Sequence, residues 1–308
     1  LYDGSGGGAA QVGSAVSADD VAVEAGRFTV SLDFGAGAFT GEARWLEIRV
    51  RDGGSTGGYT ILSPRQALTP TPYALALPGF RTGPNATSAN VIGGFSGNTV
   101  ASGVVGAVIG GGGVGGAVNA AEGDYSTVSG GRGNTAGATN ATVGGGDGNS
   151  AGSGNATVGG GLGNAATAQG ATVGGGQDNA NGGLYGTIGG GLDNRVTAYG
   201  GTIAGGAPTD VTDAAGTRNE VVDAYAAVGG GGDNLAGSAD GDAQSAHYAT
   251  VAGGQRNTAD GAYTTVGGGR DNVASDFDSV VGGGVGNEAL GQAATVSGGN
   301  GNVASGDE

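Results

Sequence analysis

The chain is 308 residues long and contains 77 glycines but only one Trp, nine Tyr and six Phe, which excludes a globular core built from large apolar side chains. It has no cysteine, and all 11 basic residues are arginine, so disulfides, thiol chemistry, a Schiff-base lysine and a lysine-containing phosphate loop are also excluded. A formal net charge of −16 argues against nucleic acid or an anionic membrane as a partner, and no apolar run is long enough to insert into a bilayer.

The first 78 residues contain short runs in which apolar and polar residues alternate, a period of two that indicates half-buried strands. In one of them Leu46, Ile48 and Val50 are expected to face a core. Residues 1–78 therefore predict a small antiparallel β-sandwich, and residues 1–2 are interpreted as the end of a strand that leaves an open sheet edge. The alternating runs lie at 21–23, 27–34, 44–51 and 59–62.

A proline-rich stretch follows, with five of the six prolines between residues 63 and 84. Such segments are extended and semi-rigid. The stretch predicts a connector that continues as a linker over residues 79–89. Tyr73, Leu75 and Leu77 are expected to dock on the sandwich.

Residues 90–308 contain a tandem repeat in which a Thr-Val or Thr-Ile pair precedes two glycines, and an Asn follows six residues after the Val or Ile. Successive repeats are 15 residues apart, and two longer steps place insertions at about 207–218 and 235–247. A fixed period of this length predicts a parallel β-roll or β-solenoid, so the whole chain is expected to be all-β. The positions that define the repeat include Val143, Val158, Val173, Ile188 and Ile203 for the apolar residue, and Asn149, Asn164, Asn179 and Asn194 for the Asn.

One coil has little with which to stabilise itself, because its reliable apolar residues are one Val or Ile and usually one Ala, such as Val143 and Ala151. Burying a Val contributes roughly 1.5–3 kcal/mol, whereas ordering each residue costs about 1 kcal/mol or more. We therefore expect backbone ladders between coils and a core shared by several chains. The paired glycines should permit close backbone approach or a positive φ, and the Asn should either turn the chain or form an inward ladder.

The coils, for example Asn257 with the Thr-Thr-Val-Gly-Gly-Gly run at 264–269, resemble the head repeats of trimeric autotransporter adhesins. The layout, with Arg-Trp-Leu-Glu-Ile at 44–48 and Leu-Ser-Pro-Arg-Gln at 62–66 ahead of the repeats, is similar to that of bacterial secreted proteins with tail-fibre domains. The resemblance implies a left-handed, homotrimeric solenoid that is secreted or displayed on a cell surface.

Catalytic residues are hard to find, because His247 is the only histidine and lies in the second insertion, where we expect a surface loop. Acidic residues beside glycines at 191–194 and 269–272 leave calcium as an alternative to the expected absence of a cofactor, although calcium-binding β-rolls have a nine-residue period. A column of threonines, from Thr127 onward, raises ice binding as a weaker alternative. Three Asn-x-Thr sequons matter only if the cell glycosylates them: Asn85, Asn140 and Asn155.

Tyrosines recur three residues before the Val or Ile of several coils, and four of them form the predicted contact surface together with the two insertions. Such a strip of rings either stacks on sugars and partner surfaces or packs between coils or subunits. The four residues are Tyr185, Tyr225, Tyr248 and Tyr263.

These observations predict a non-enzymatic extracellular protein, a rod or a subunit of a surface fibre or filament with an adhesive role. Its main partner is expected to be itself, as a homotrimer or as an end-to-end polymer joined by strand addition at the open N-terminal edge. The alternative is a tail-fibre-like module that binds a receptor or glycans on a host or neighbouring cell. A β-helical polysaccharide lyase is disfavoured, because the repeats are uniform and lack clustered arginines and carboxylates.

Overall fold

The computed structural model describes residues 1–35, 38–39, 42–68, 79–83, 85, 87–238 and 240–306. The chain forms two compact units, Leu1–Arg81 and Thr82–Glu308, and each is described by itself. The predicted docking of Tyr73, Leu75 and Leu77 lies outside the described residues.

The first unit contains a two-stranded antiparallel sheet formed by β1, Arg44–Val50, and β2, Thr60–Leu68. Tyr2 forms antiparallel bridges with both Trp45 and Gln11. The expectation of an open edge at residues 1–2 is therefore wrong, since Tyr2 has a backbone partner on each side.

The antiparallel pairing predicted for this unit is confirmed, but the described residues form one pair of strands and not two packed sheets. The alternating run at 27–34 forms no strand; its first residue only bridges to Glu24. Alternation makes a segment able to form a strand but does not supply a partner, and beyond the bridge at Arg27 this run pairs with no other described segment. Without a second layer, Leu46 and Ile48 are only half-buried and Val50 is 40% exposed.

The proline-rich connector begins later than predicted, because β2 runs through Pro64 as far as Leu68. Within the predicted linker, β3 spans Phe80–Gly83 and is the end strand of a 14-stranded sheet, next to Asn90–Gly93. Part of this linker is therefore regular structure.

The second unit is a parallel β-solenoid, as the repeat predicts. Each coil contributes one short strand to each of two sheets, and every strand pairs in register with the equivalent strand one coil away. After β3, the first sheet contains Asn90–Gly93, Val108–Ile109, Thr127–Val128, Thr142–Val143, Thr157–Val158, Thr172–Val173, Thr187–Ile188, Thr202–Ile203, Ala227–Val228, Thr250–Val251, Thr265–Val266, Val280–Val281 and Thr295–Val296. The second contains Thr99–Val100, Ala120–Ala121, Thr135–Ala136, Ser150–Ala151, Ala165–Ala166, Ala180–Asn181, Arg195–Val196, Glu220–Val221, Leu235–Ala236, Thr258–Ala259, Val273–Ala274, Glu288–Ala289 and Val303–Ala304.

The core of the solenoid lies between these two sheets and is complete within one chain. In a typical coil Val143 and Ala151 project inward from the two sheets, and Ala141, just before the first strand, fills the space between them; all three are 0% exposed. The alanine column represented by Ala141 was not recognised in the sequence. The expectation that several chains must share the core therefore loses its physical basis, because the valine column is already buried.

Many of the glycines after the first-sheet strands lie where neighbouring coils approach one another closely. A Cβ on Gly144 would collide with the carbonyl oxygen of Gly159 in the next coil. A Cβ on Gly146 would likewise collide with the carbonyl oxygen of Gly161. Gly146 also has a φ of +89°, which favours glycine. Close approach therefore accounts for Gly144, and close approach together with a positive φ accounts for Gly146.

The two insertions do not interrupt the pairing of strands between successive coils. The first contains a 3-10 helix, Val211–Asp213, and a short α-helix, Ala214–Thr217. The second begins two residues later than predicted, because Leu235–Ala236 still pairs in register with Thr258–Ala259.

Candidate functional site

The repeated asparagines form a continuous ladder inside the solenoid. Asn164 donates its backbone N–H to Oδ1 of Asn149 (3.0 Å), and its Nδ2 donates to the carbonyl oxygens of Gly160 (2.9 Å) and Gly176 (2.8 Å). The repeated Asn was expected either to turn the chain or to form an inward ladder, and in the structure it forms the ladder. Similar side-chain bonds to glycine carbonyls are made by Asn98, Asn119, Asn134, Asn149, Asn179, Asn194, Asn219, Asn234, Asn257, Asn272 and Asn287.

The predicted contact tyrosines all occupy one corner of the coil, three residues before the buried Val or Ile. Their backbone is left-handed, with φ between +57° at Tyr185 and +62° at Tyr248. The turn is fixed by hydrogen bonds to the preceding coil; for example, the N–H of Tyr225 donates to the carbonyl oxygen of Tyr199 (2.9 Å). Asn140 and Asn155 occupy the same corner, so two of the sequons coincide with a turn that favours Asn for its backbone.

The rings at this corner contact one another along the solenoid axis. Tyr225, Tyr248 and Tyr263 are stacked in order, with ring centroids 5.0 Å and 5.3 Å apart and planes inclined by 7° and 16°. Tyr199 and Phe277 close the two ends of the stack with edge-to-face contacts to Tyr225 and Tyr263. We call the set the aromatic ridge: Tyr185, Tyr199, Tyr225, His247, Tyr248, Tyr263 and Phe277.

Three members of the ridge were missed in the sequence, namely Tyr199, His247 and Phe277. They lie one residue before the tyrosine column, in coils where the corner residue is Gly, Tyr or Asp, so a search of a single column does not find them. His247 lies in a turn of the second insertion, as expected, and its ring centroid is 5.4 Å from that of Tyr248 and 4.9 Å from that of Tyr263.

Two features distinguish the ridge from the rest of the solenoid. The ridge is local, because in other coils the corner is occupied by residues such as Asn155, Gly170 and Ala293, and the solenoid continues without a ring. A left-handed backbone is also unfavourable for tyrosine, by roughly 1–2 kcal/mol relative to glycine. The rings are nevertheless exposed, from 42% at Tyr199 to 54% at Tyr185.

One phenol of the ridge, that of Tyr225, has a perturbed pKa. The hydrogen bond with Tyr199, followed by burial, raises the pKa of Tyr225 above its ordinary value. The ridge presents aromatic rings and phenol hydroxyl groups on a chain whose net charge is strongly negative.

The acidic turns considered for calcium are paired with arginines. Arg218 lies 3.5 Å from Asp193, and Arg256 forms hydrogen bonds of 2.6 Å and 3.0 Å to the two oxygens of Asp271. The bond from Arg256 lowers the pKa of Asp271. Within the described ranges no group of three or more His, Cys, Asp or Glu residues is arranged to hold a metal ion.

A shallow pocket of about 290 Å³ lies where the first insertion rejoins the coils. Its charged lining residues are Arg218, Glu220, Asp233 and Arg256, so two arginines and two carboxylates line it. Burial raises the pKa of Asp233, and the nearby Arg256 opposes this shift. The mixed lining selects neither an anion nor a cation.

In the N-terminal unit, Glu47 joins both strands to the first residues of the chain. Its side chain is 7% exposed and accepts from Nε of Arg49 (2.7 Å) and Nε of Arg65 (2.8 Å). Arg65 also lies over the ring of Tyr2, 3.4 Å from its centroid. The two arginine hydrogen bonds lower the pKa of Glu47.

Residues 1–65 match a family model described as a domain of unknown function, DUF8740. No curated protein matches the chain. The match lies within the N-terminal unit and includes none of the solenoid, so the role of the aromatic ridge has to be argued from its geometry. Among the helices that the structure describes, none is long and apolar enough to cross a membrane.

Proposed function

We propose that the chain is a non-enzymatic structural protein of the cell exterior, a rod or a subunit of a surface fibre with an adhesive role. The observation that carries this proposal is the ladder of asparagines and backbone hydrogen bonds that runs without interruption from Asn98 to Asn302. With a rise of about 4.8 Å per coil, the 13 strands of the second sheet make a rod roughly 60 Å long. Such a repeat provides length and stiffness with a nearly uniform surface.

Self-association is part of the same proposal, as a homotrimer, by resemblance to adhesin heads, or as an end-to-end polymer. The valine column is buried within one chain, and so a trimer would join the outer faces of finished solenoids. No association is required to complete the core.

Immunogold microscopy of intact source cells, with an antibody raised against the purified chain, tests the location. We expect label on the cell exterior or on fibres that extend from it, and loss of label when the antibody is first absorbed with the chain. Label that appears only after the cells are opened would contradict the proposal.

A second function is favoured by the aromatic ridge, namely recognition of neutral surface glycans. Exposed tyrosines combine an apolar ring with a hydroxyl group, which suits them to binding surfaces. A glycan array probed with the native chain and with a variant carrying Asn at Tyr185, Tyr225, Tyr248 and Tyr263 tests this, since Asn tolerates the same left-handed turn. Binding by the native chain and not by the variant would support glycan recognition, whereas absence of binding by both would favour a purely structural role.

A further inference from the structure

We propose that Tyr225, Tyr248 and Tyr263 form a site of oxidative cross-linking, at which a peroxidase with hydrogen peroxide joins neighbouring rings as dityrosine. The site is defined by the two stacked contacts of Tyr248, which lies between the other two rings. All three rings are accessible to an external oxidant, with exposures of 47%, 46% and 45%.

The geometry brings the reacting rings together before oxidation. Centroid separations of 5.0 Å and 5.3 Å between nearly parallel rings exceed the spacing of about 3.5–4.0 Å for direct carbon contact, so the rings are offset and each leaves part of its face and edge free. Small sliding and tilting movements, which exposed side chains make on the nanosecond scale, are enough to bring carbons of adjacent rings into contact.

The composition of the chain directs oxidation to these residues. The chain contains neither cysteine nor methionine, the usual first targets of oxidants, and its only tryptophan, Trp45, lies in the N-terminal unit. Within the solenoid the tyrosines are therefore the side chains that lose an electron most readily.

The chemistry balances with hydrogen peroxide as the oxidant. Each of two phenols loses one hydrogen atom from its hydroxyl group, and the two resulting radicals form a carbon–carbon bond between positions next to the oxygens. The hydrogen on each of these carbons then moves to the oxygen and restores the phenol. Hydrogen peroxide accepts the two hydrogen atoms first removed, its O–O bond breaks, and two molecules of water are formed.

A bond between Tyr225 and Tyr248 would close a loop that includes the second insertion. These residues are 23 apart in sequence but occupy the same corner of successive coils. Such a bond restricts the unfolded chain as a disulfide does. It would give a cysteine-free rod a covalent link between coils.

The test treats the full chain with a plant peroxidase and hydrogen peroxide. Dityrosine fluorescence is then measured, and peptides cut at aspartates are analysed by mass spectrometry. Asp233, Asp240 and Asp242 lie between Tyr225 and Tyr248, so cleavage there separates the two residues unless they are linked. We expect linked Tyr225–Tyr248 or Tyr248–Tyr263 peptides that have lost two hydrogens, within chains of unchanged monomer mass.

Tyr248→Phe keeps a ring in the stack but removes the hydroxyl hydrogen, and it should lower the fluorescence by more than half. Tyr125→Phe is the matched control, because Tyr125 occupies the same left-handed corner and is 52% exposed, while its neighbours in the column are Gly106 and Asn140. Circular dichroism checks that both variants keep the fold. The proposal is overturned if the native chain forms no dityrosine, if Tyr248→Phe forms as much as the native chain, or if all cross-links join different chains.

Discussion

The Cβ atom that Gly201 lacks would lie 2.7 Å from Cγ1 of Val221. In several coils the two facing positions of the core are both alanine, as with Ala141 and Ala151. Around Gly201 one alanine is replaced by glycine and its counterpart in the second sheet by valine, which keeps the filled volume nearly constant. The core of the solenoid is thus packed by complementary sizes from coil to coil.

This relationship predicts that Gly201→Ala destabilises the solenoid by about 1–3 kcal/mol through overpacking, since its φ imposes no strain of its own. The double variant Gly201→Ala with Val221→Ala should regain part of the loss, because the new Cβ would still lie 2.9 Å from Cγ1 of Val196. Denaturant unfolding of both variants measures the effect. Gly130→Ala is the matched control, because a Cβ there meets no atom within 4 Å. Equal destabilisation by the single and double variants would contradict complementary packing.

Substitution of Ser279 should stabilise the protein, in contrast to Gly201→Ala. It is fully buried in the column where alanine is usual, and its hydroxyl oxygen has no hydrogen-bond partner within the described part of the chain. Ser279→Ala should therefore stabilise the protein by about 1 kcal/mol, the cost of an unsatisfied buried polar group. Thermal unfolding checks this. Thr264→Ala, in the same column, is the comparison, because the Thr264 hydroxyl donates to the carbonyl of Gly261 (2.6 Å) and its removal should bring no gain.

A substitution at the centre of the asparagine ladder should strongly destabilise the protein. Asn179 donates from Nδ2 to the carbonyls of Gly175 (3.0 Å) and Gly191 (2.8 Å), and its Oδ1 accepts the backbone N–H of Asn194 (3.0 Å). Asn179→Leu keeps the volume but leaves these buried groups unpaired, at about 1–3 kcal/mol each. Denaturant unfolding should therefore show a loss of at least about 3 kcal/mol.

Asn155→Gly is the matched control for the ladder, because Asn155 lies at an exposed left-handed corner that glycine adopts easily. Its effect should stay within about 0.5 kcal/mol. A small loss for Asn179→Leu would mean that the amide side chains do not hold the coils together.

The acid stability of the N-terminal unit should depend on Glu47. Its folded pKa is lowered by Arg49 and Arg65, so its stabilising contribution is full above the ordinary carboxyl pKa of about 4.3 and is lost as pH falls through the lower folded pKa. Glu47→Gln should remove this acid transition and weaken the unit at neutral pH. The fluorescence of Trp45, the only tryptophan, reports the unit directly.

Glu42→Gln is the control for the pH experiment, since the Glu42 side chain is 75% exposed although it pairs with Arg44 at 3.1 Å. Arg44 is buried, but its Nε also donates to the carbonyl oxygen of Ala38 (2.9 Å), so loss of the exposed Glu42 charge should cost little. The same acid transition in native chain and Glu47→Gln would contradict the role given to Glu47.

The sequence was most informative where one residue type recurs at a fixed spacing. The period of Val143 and Asn149 predicts the coil, the in-register strands and the inward ladder, because each position repeats in the same environment. The alanine column of Ala141 was overlooked because small residues are common throughout this glycine-rich chain. Alternation at 27–34 was misleading, since it shows that a segment is able to form a strand without showing which strand it pairs with.

The aromatic ridge could be predicted only in part. Tyr185 and Tyr248 follow the repeat and were found, whereas Tyr199 and Phe277 lie one position earlier and approach the others only through the left-handed turn. These contacts depend on the backbone conformation of the corner, which the spacing of residues in the sequence does not reveal.

The central claim is that one chain completes the solenoid by itself. Thermal unfolding followed by circular dichroism, over a 100-fold range of protein concentration, tests it most directly, because folding that requires association has a concentration-dependent midpoint. Burial of the valine column within the chain predicts a midpoint that does not change with dilution. A midpoint that falls steadily on dilution would show that the coils fold only when several chains share their core.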